Sequence, residues 1–148
     1  MIALFDSQAM PYNIEMKLQI STDYAIRILR YLCKYKYRVC TAVSIAEATG
    51  IPHAFFIKIA NQLKKRGLLA SIRGRNGGYF LGKAAHKINL YEVFLCVEGE
   101  LQINQCLKDH QLCATDTPED CKIRNFLCTL QETIIAEMSS LTLVDLID

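Results

Sequence analysis

The chain has 148 residues, 51% of them hydrophobic, which is enough for one compact domain with an ordinary core and an added dimerisation element. No apolar stretch approaches membrane-spanning length, and residues 1–15 have no basic segment before their short apolar run, which excludes a signal peptide. The cysteines number seven, which is odd, and without an export signal metal or redox chemistry in a reducing cytoplasm explains them better than a disulfide framework.

Charge is divided unevenly along the chain, although the net charge is only +2. Residues 1–90 contain 14 lysines and arginines against 4 acidic residues, a net charge of +10. Residues 91–148 contain 3 lysines and arginines against 11 acidic residues, a net charge of −8. A basic half joined to an acidic half is typical of a polyanion-binding module with an attached element that does not bind the polyanion.

The first predicted helix lies in the basic half. It begins at Ser21 and Thr22, which supply its cap, and ends near Tyr35. Its apolar residues follow helical spacing and form one inward face, which consists of Ala25, Ile28, Leu29 and Leu32.

Two further predicted helices are separated by a short turn. One covers residues 43–49, and the other runs from about residue 53 to residue 65, where Gly67 stops it. Gly50 suits the end of the earlier helix, and Pro52 suits the first turn of the later one. The inward face of the later helix consists of Phe56, Ile59, Ala60 and Leu63. This arrangement indicates a helix–turn–helix, in which the second helix enters the major groove of DNA.

Residues 68–81 predict a β-hairpin directly after the helix pair. Two short apolar strands flank Asn76-Gly77-Gly78, which readily supplies turn residues with positive φ. Arg73 and Arg75 lie at or near the predicted tip, where a wing meets a phosphate or a narrow minor groove. The position of the hairpin favours a DNA-binding wing over a solvated hairpin with incidental arginines.

The acidic half contains two more predicted helices. Asn89 and Glu92 have capping-box spacing for a short helix that ends near Val97. A second helix, of roughly 22 residues and about 33 Å, begins at Thr117 and Pro118. Its apolar stripe consists of Ile123, Phe126, Leu127, Leu130, Ile134, Met138 and Leu141. This length and stripe favour pairing with a partner helix over packing on its own domain.

Three cysteines, Cys106, Cys113 and Cys121, lie in a short polar stretch that extends into the first turn of the long helix, with six and then seven residues between them. Thiols grouped in this way predict a site for soft metal or an iron–sulfur cluster. The predicted helix start places Cys121 in the first turn. There the helix dipole and the neighbouring Lys122 and Arg124 favour the thiolate, which is the form that binds metal.

The remaining cysteines and the histidines have simpler explanations. Cys128 lies two helical turns, about 10 Å, beyond Cys121, which is too far to share one cluster. Three cysteines on apolar or mixed stretches are most simply small packing residues, namely Cys33, Cys40 and Cys96. The histidines lack serine–acid or paired-carboxylate neighbours, and no phosphate-binding glycine loop is present, so we do not expect an enzyme.

Several segments together resemble the IscR/NsrR type of bacterial winged-helix regulator, the Rrf-two class. The segments are Ser21-Thr22-Asp23-Tyr24-Ala25, Gly50-Ile51-Pro52, Lys65-Arg66-Gly67-Leu68-Leu69 and Arg73-Gly74-Arg75-Asn76-Gly77-Gly78-Tyr79-Phe80-Leu81. The resemblance extends from Met16 to the end of the chain. It implies a homodimeric repressor or activator of transcription that often senses iron–sulfur status, nitric oxide or redox state through a cluster.

The resemblance also implies roles for particular residues. Ala54, Ile57 and Lys58 match positions that face DNA in relatives, and Ser44 and His53 are expected to hold phosphates. In relatives that sense nitric oxide, the fourth cluster ligand is an acidic residue at the start of the first helix of the other subunit. Asp23 occupies that position when Met16 is taken as the start, although an acid in a first helical turn is also favourable by itself.

Two departures from the relatives concern the cluster ligands. The cysteine spacing is wider than in common cluster-binding members, and Arg124 occupies the position where some relatives have a histidine. His110 is therefore the next candidate for the fourth ligand after Asp23.

We expect a mainly α-helical fold with a small β-hairpin wing, in three regions. These are an extension over residues 1–15, a winged helix–turn–helix over residues 16–90, and a sensor loop with a dimerisation helix over residues 91–148. The expected function is that of a cytoplasmic homodimeric regulator. Its affinity for a palindromic double-stranded operator is controlled by a [2Fe–2S] or [4Fe–4S] cluster, with no membrane partner. Two alternatives stay open: a cluster-free or zinc-bound regulator of the same fold, and a redox-active iron–sulfur protein without an operator, which the basic half disfavours.

Overall fold

The computed structural model describes residues 19–36, 38–109 and 120–147. In chain order the elements are α1 (Ile20–Lys34), α2 (Ala42–Thr49), α3 (His53–Lys65), β1 (Leu69–Ile72), β2 (Gly78–Leu81), α4 (Leu90–Val97), α5 (Gln105–Lys108) and α6 (Lys122–Ser140). Short 3₁₀ turns cover Ala85–Lys87 and Val144–Leu146. A mainly helical chain with one two-stranded antiparallel sheet confirms the predicted fold class. The predicted extension over residues 1–15 lies outside the described residues.

Helices α1 and α3 share one hydrophobic core. The eight inward positions predicted from helical spacing are each at most 1% exposed, and they are Ala25, Ile28, Leu29, Leu32, Phe56, Ile59, Ala60 and Leu63. Full burial of one Leu, Ile or Phe side chain contributes roughly 1.5–3 kcal/mol. The shared core therefore holds α3 in a fixed position on α1. No helix in the described ranges is long and apolar enough to cross a membrane.

The start of α1 differs from the predicted cap. The residue in the N-cap position is Gln19, without a side-chain capping bond, rather than Ser21 or Thr22. Thr22 is fully buried, and its hydroxyl donates a 2.8 Å hydrogen bond to Oε1 of Glu98, which ends α4. The predicted cap was wrong because a partner 76 residues further along the chain engages this hydroxyl.

Replacing Thr22 with Val should lower the free energy of unfolding by about 1–3 kcal/mol, because the substitution keeps the volume but leaves Glu98 Oε1 without its donor. Urea unfolding followed by circular dichroism measures this change. Thr133→Val is the matched control, since its hydroxyl donates to the Thr129 carbonyl at 2.8 Å on an exposed face of α6. Equal losses in the two variants would contradict a special contribution from the Thr22–Glu98 contact.

The turn between α2 and α3 follows the predicted glycine and proline positions closely. Gly50 ends α2 in the left-handed region at φ 69°, and its N–H donates to the carbonyls of Ala46 and Glu47. Pro52 is the N-cap of α3, one residue before the predicted first turn. The start of α2 is capped by Thr41, whose Oγ accepts the backbone N–H of Ser44 at 3.1 Å.

The predicted hairpin is present and is attached to the helices. Strands β1 and β2 are antiparallel, with Leu69 opposite Leu81 and Ile72 opposite Gly78. Cys40 adds a short bridge to Tyr79, with backbone N···O distances of 2.9 and 2.7 Å. The ring of Tyr79 also meets the buried ring of Phe56 edge to face, with centroids 5.2 Å apart. The wing is thereby fixed to α3 and to the segment before α2.

The hairpin has positive φ at one predicted glycine and at one glycine that was not predicted. The N–H of Gly77 donates to the Gly74 carbonyl at 3.0 Å, which leaves Arg75 and Asn76 at the centre of the turn. Positive φ occurs at Gly74 (110°) and Gly78 (156°), and at neither Asn76 nor Gly77. A Cβ at Gly78 would lie 2.4 Å from the Cys40 carbonyl oxygen, so the bridge to Cys40 requires glycine at this position.

Helix α4 begins at the predicted cap. Asn89 Oδ1 accepts the backbone N–H of Glu92 at 2.8 Å, as the spacing predicts. The Glu92 side chain does not complete the capping box, because its carboxylate pairs with Lys83 Nζ at 2.6 Å. This ion pair ties α4 to the segment that follows the wing.

The long helix α6 begins at Lys122, with Cys121 as its N-cap. The predicted start at Thr117 and Pro118 lies outside the described residues. After α6 the chain returns to the winged module, which the sequence pattern did not predict. Leu143 is buried in the core and donates its N–H to the Ile88 carbonyl at 2.7 Å, while Leu90 donates to the Leu141 carbonyl at 2.9 Å.

Candidate DNA-binding surface and cysteine site

The face of α3 opposite the core carries the predicted DNA-facing residues. His53, Ala54 and Lys58 are exposed, whereas Ile57 is half-buried and packs against the core. No carboxylate of the described residues lies within ion-pair distance of Lys58. An exposed helix face with an uncompensated cation suits contact with phosphates.

The sequence reasoning missed two residues on this same face. Asn61 and Lys65 are exposed and lie seven residues, about two helical turns, after Ala54 and Lys58 respectively. Seven-residue spacing on a helix places side chains on one face. Counting this spacing forward from Ala54 and Lys58 would have found both residues.

Ser44 lies in the first turn of α2 and is only partly exposed. Its hydroxyl donates to the Thr41 carbonyl at 2.9 Å, so a phosphate contact from this hydroxyl would replace that local hydrogen bond. Thr41 thus positions Ser44 through its backbone and side chain together. Thr41 lies three positions before Ser44, as an N-cap residue does before the N–H that it accepts. This spacing is the signal that would have identified Thr41.

The tip of the wing presents two arginines to solvent. Arg75 occupies a central position of the turn, and Arg73 directly precedes Gly74. Both side chains are exposed, and neither has an acidic partner among the residues that the structure describes. The wing therefore adds two cations to the one that Lys58 supplies on α3.

Two of the three predicted ligand cysteines come from elements that pack on each other. Cys106 lies in α5 and Cys121 is the N-cap of α6, and both are half-buried. Helix α5 packs against α6, where Arg124 Nε donates to the Cys106 carbonyl at 3.4 Å. The arrangement brings these two cysteines to the beginning of α6. Cys113 and His110 lie outside the described residues.

Asp23, the predicted fourth ligand, lies on the exposed side of α1. Its carboxylate forms a 2.8 Å ion pair with Arg27 one turn later, and both side chains are 50% exposed. Within the described ranges of one chain, no group of three or more His, Cys, Asp or Glu residues is close enough to hold a metal ion. Asp23 is therefore not gathered with Cys106 and Cys121 in a single chain.

The other cysteines differ from the predicted ligands in their surroundings. As predicted, Cys40 is buried in the core, while Cys33 and Cys96 pack against it. Burial raises the pKa of Cys96 to about 11 and raises the pKa of Cys33 and Cys40 above the ordinary value. These three side chains therefore stay in the thiol form at neutral pH, which disfavours metal binding. Cys128 is half-buried on α6, with its sulfur 3.7 Å from Glu132 Oε1.

A helix–turn–helix followed by a basic hairpin defines a winged-helix DNA-binding module. A family model described as "Rrf2: Iron-dependent Transcriptional regulator" matches residues 18–148, and the chain belongs to this family. The match confirms the family resemblance found in the sequence. Because the family consists of transcriptional regulators, it also agrees with the expectation that the chain is not an enzyme.

Solved structures of transcription regulators have the same fold. CymR, the global cysteine regulator of B. subtilis, has 24% identity, with 88% of this chain and 95% of that chain covered and a TM-score of 0.73. IscR of T. potens has 21% identity, with coverage of 89% and 86% and a TM-score of 0.70. The oxidized form of Staphylococcus aureus CymR has 22% identity, with coverage of 88% and 95% and a TM-score of 0.68. At these identities the likeness establishes the fold and leaves the signal open.

Proposed function

We propose that this protein is a homodimeric DNA-binding regulator whose affinity for a palindromic operator is controlled by an iron–sulfur cluster. Cys106, Cys113 and Cys121 would hold the cluster, with Asp23 of the other subunit as the fourth ligand. The proposal is supported by the packing of α5, which contains Cys106, on α6, whose N-cap is Cys121, within a chain of the Rrf2 family.

The DNA-binding part of the proposal is supported by exposed cations on two elements. Lys58 on α3 and Arg73 and Arg75 on the wing are exposed. The contact between Phe56 and Tyr79 fixes the wing to α3, so these cations meet DNA as one preorganised surface. They are part of the net charge of +10 that residues 1–90 carry.

The donor chemistry of the cysteine site fits an iron–sulfur cluster. Thiolates are its usual protein ligands, and the amino-terminal end of the 19-residue helix α6 stabilises negative charge at Cys121. Asp23 at the exposed start of α1 is accessible to a second chain, which suits a carboxylate ligand donated between subunits. A bound [2Fe–2S] or [4Fe–4S] cluster supplies a centre that reacts with oxygen or nitric oxide.

The connections of α6 offer a route from this site to the DNA-binding surface. Cys121 is the N-cap of α6. The segment that follows the carboxy-terminal end of α6 is hydrogen-bonded to Ile88 and Leu90. Leu90 begins α4, and Ile88 lies between the wing and this helix. Movement at the amino-terminal end of α6 therefore acts on the segment that follows the wing. This coupling is part of the proposal.

The DNA-binding proposal is tested with a triple variant in which Lys58, Arg73 and Arg75 are each replaced with Ala. Operator affinity, measured on a duplex selected from random DNA, should fall. The magnitude of the slope of log K against log salt should decrease by about 5, since the three residues occur in both subunits and each lost phosphate contact releases about 0.9 fewer counterions. Footprints of the unaltered protein should show two half-sites about 34 Å apart.

The matched control replaces three exposed basic residues with Ala. They lie away from α3 and the wing tip and are Arg30, Lys34 and Lys87. This control variant loses the same positive charge, and its slope of log K against log salt should stay close to that of the unaltered protein. Equal slopes in the two triple variants would show that charge alone, without the proposed surface, drives binding.

The alternative within the same class is a zinc-bound or cluster-free regulator. The other alternative, an iron–sulfur redox protein without an operator, disagrees with membership of a family of transcriptional regulators.

A further inference from the structure

The face of α3 opposite the core carries an amide between two cations. Ala54, Lys58, Asn61 and Lys65 follow each other at intervals of four, three and four residues, which places them on one side of the helix. All four residues are exposed. Of these four side chains, only that of Asn61 has both a hydrogen-bond donor and an acceptor.

The fold does not use the Asn61 side chain. It is exposed, and it forms no hydrogen bond within the part of the chain that the structure describes. Asn is also less favourable than Ala in the interior of a helix. The adjacent Gln62 differs, since it is half-buried and its Oε1 is enclosed by the protein. Asn61 therefore presents an amide to solvent at a position where the helix alone would favour Ala.

The two lysines of this face lie on either side of Asn61 along the helix. Lys58 and Lys65 are seven residues apart, a rise of about 10.5 Å, which is close to the width of about 12 Å of the major groove of B-DNA. No carboxylate of the described residues lies within ion-pair distance of either lysine. Phosphate contacts from both lysines would hold the centre of α3, and with it Asn61, over the base edges.

We propose that Asn61 reads an adenine in each half-site of the operator. Its carbonyl oxygen accepts a hydrogen bond from the N6 amino group of adenine, and its amide N–H donates to N7, which is the pairing that suits an Asn side chain. The inference rests on the proposed contact of α3 with DNA and adds the source of its sequence preference. Phosphate contacts from the cations position the protein but carry no sequence information, so the preference needs a residue of this kind.

Binding sites are selected from random duplex DNA with the full-length protein and with Asn61→Ala. The unaltered protein should require adenine at one position of each half-site. Asn61→Ala should accept any base there and keep its preferences elsewhere. Its affinity for the selected duplex should fall about tenfold or more for each half-site, because one bidentate contact is lost. The slope of log K against log salt should stay unchanged, since the amide is uncharged.

A modified base tests the contact at the level of one atom. 7-Deaza-adenine pairs as adenine does but lacks the N7 acceptor. Its presence at the selected position of both half-sites should weaken binding of the unaltered protein about fivefold or more. Binding of Asn61→Ala should be nearly unaffected, because the partner of N7 is already absent. Asn125→Ala is the matched control, since it removes an exposed Asn from α6 and should behave as the unaltered protein does.

Asn61→Asp provides a second variant of nearly the same shape. Its carboxylate only accepts hydrogen bonds, so the preferred base should change from adenine to cytosine, whose N4 amino group donates. An adenine preference that survives in Asn61→Ala, or an equal response of both proteins to 7-deaza-adenine, would overturn the inference and leave the proposed DNA binding intact. An unaltered protein that selects no sequence would overturn both.

Discussion

Single replacement of Cys106, Cys113 or Cys121 with Ala should abolish the visible absorption of the anaerobically purified protein. Each thiolate supplies one of the strong ligands, and the loss of one leaves iron exposed to solvent and to exchange. Anaerobic absorption spectra, with iron and sulfide content, measure the result. Cys96→Ala and Cys128→Ala are the controls, and both should retain most of the colour.

The contribution of Asp23 is separated from its ion pair by two variants. Asp23→Ala should give a cluster that assembles but is lost faster, because one oxygen ligand holds iron less firmly than a thiolate. Arg27→Ala breaks the same ion pair but keeps the carboxylate. Since an exposed pair of this kind contributes only about 0.3–0.5 kcal/mol, Arg27→Ala should leave cluster lifetime nearly unchanged. Equal effects in both variants would assign Asp23 a structural role.

Two outcomes would contradict the proposal at different points. Colourless, iron-free protein from a strictly anaerobic preparation would exclude the cluster and favour the zinc-bound or cluster-free regulator. Identical operator affinity with and without a cluster would leave the metal site intact but exclude its control of DNA binding.

The exposed apolar face of α6 should determine the oligomeric state. Ile123 is 71% exposed and Phe126 is 65% exposed, and Leu130 continues the same face. Phe126→Asp should convert a dimer to a monomer, because a buried aromatic anchor contributes about 2 kcal/mol or more and occurs once in each subunit. The dissociation constant, measured by analytical ultracentrifugation, should rise by about 100-fold or more.

Asn125→Asp is the matched control for this substitution, because it adds the same charge on an exposed position beside Phe126 and outside the apolar stripe. It should leave the dimer intact. The urea midpoint of Phe126→Asp, measured at a concentration where both proteins are monomeric, should be close to that of the unaltered chain. A Phe126→Asp protein that sediments as a dimer would place the subunit interface elsewhere.

The parts of the fold that local sequence determines were predicted well. The bounds of α3 agree with its apolar spacing and with the flanking Pro52 and Gly67, and the cap of α4 at Asn89 was correct. These features depend on residues within one or two turns of each other, so a single sequence contains the information.

The parts that were missed depend on distant partners. Thr22 bonds to Glu98 rather than capping α1, and the bridge between Cys40 and Tyr79 joins residues that no local pattern pairs. The return of Leu143 to the core is too short to show a period. The candidate site follows the same rule: the three cysteines were proposed from their grouping, but the packing of α5 on α6 was not predicted. The ligand that we propose from a second chain has no signal in the spacing of one chain.

The bonding of Leu143 to Ile88 has a consequence for the order of events during synthesis. Leu143 and Ile88 both belong to the core of the winged module, yet Leu143 is made only after the whole of α6. The interior of the DNA-binding module therefore stays incomplete until the segment beyond α6 has been synthesised.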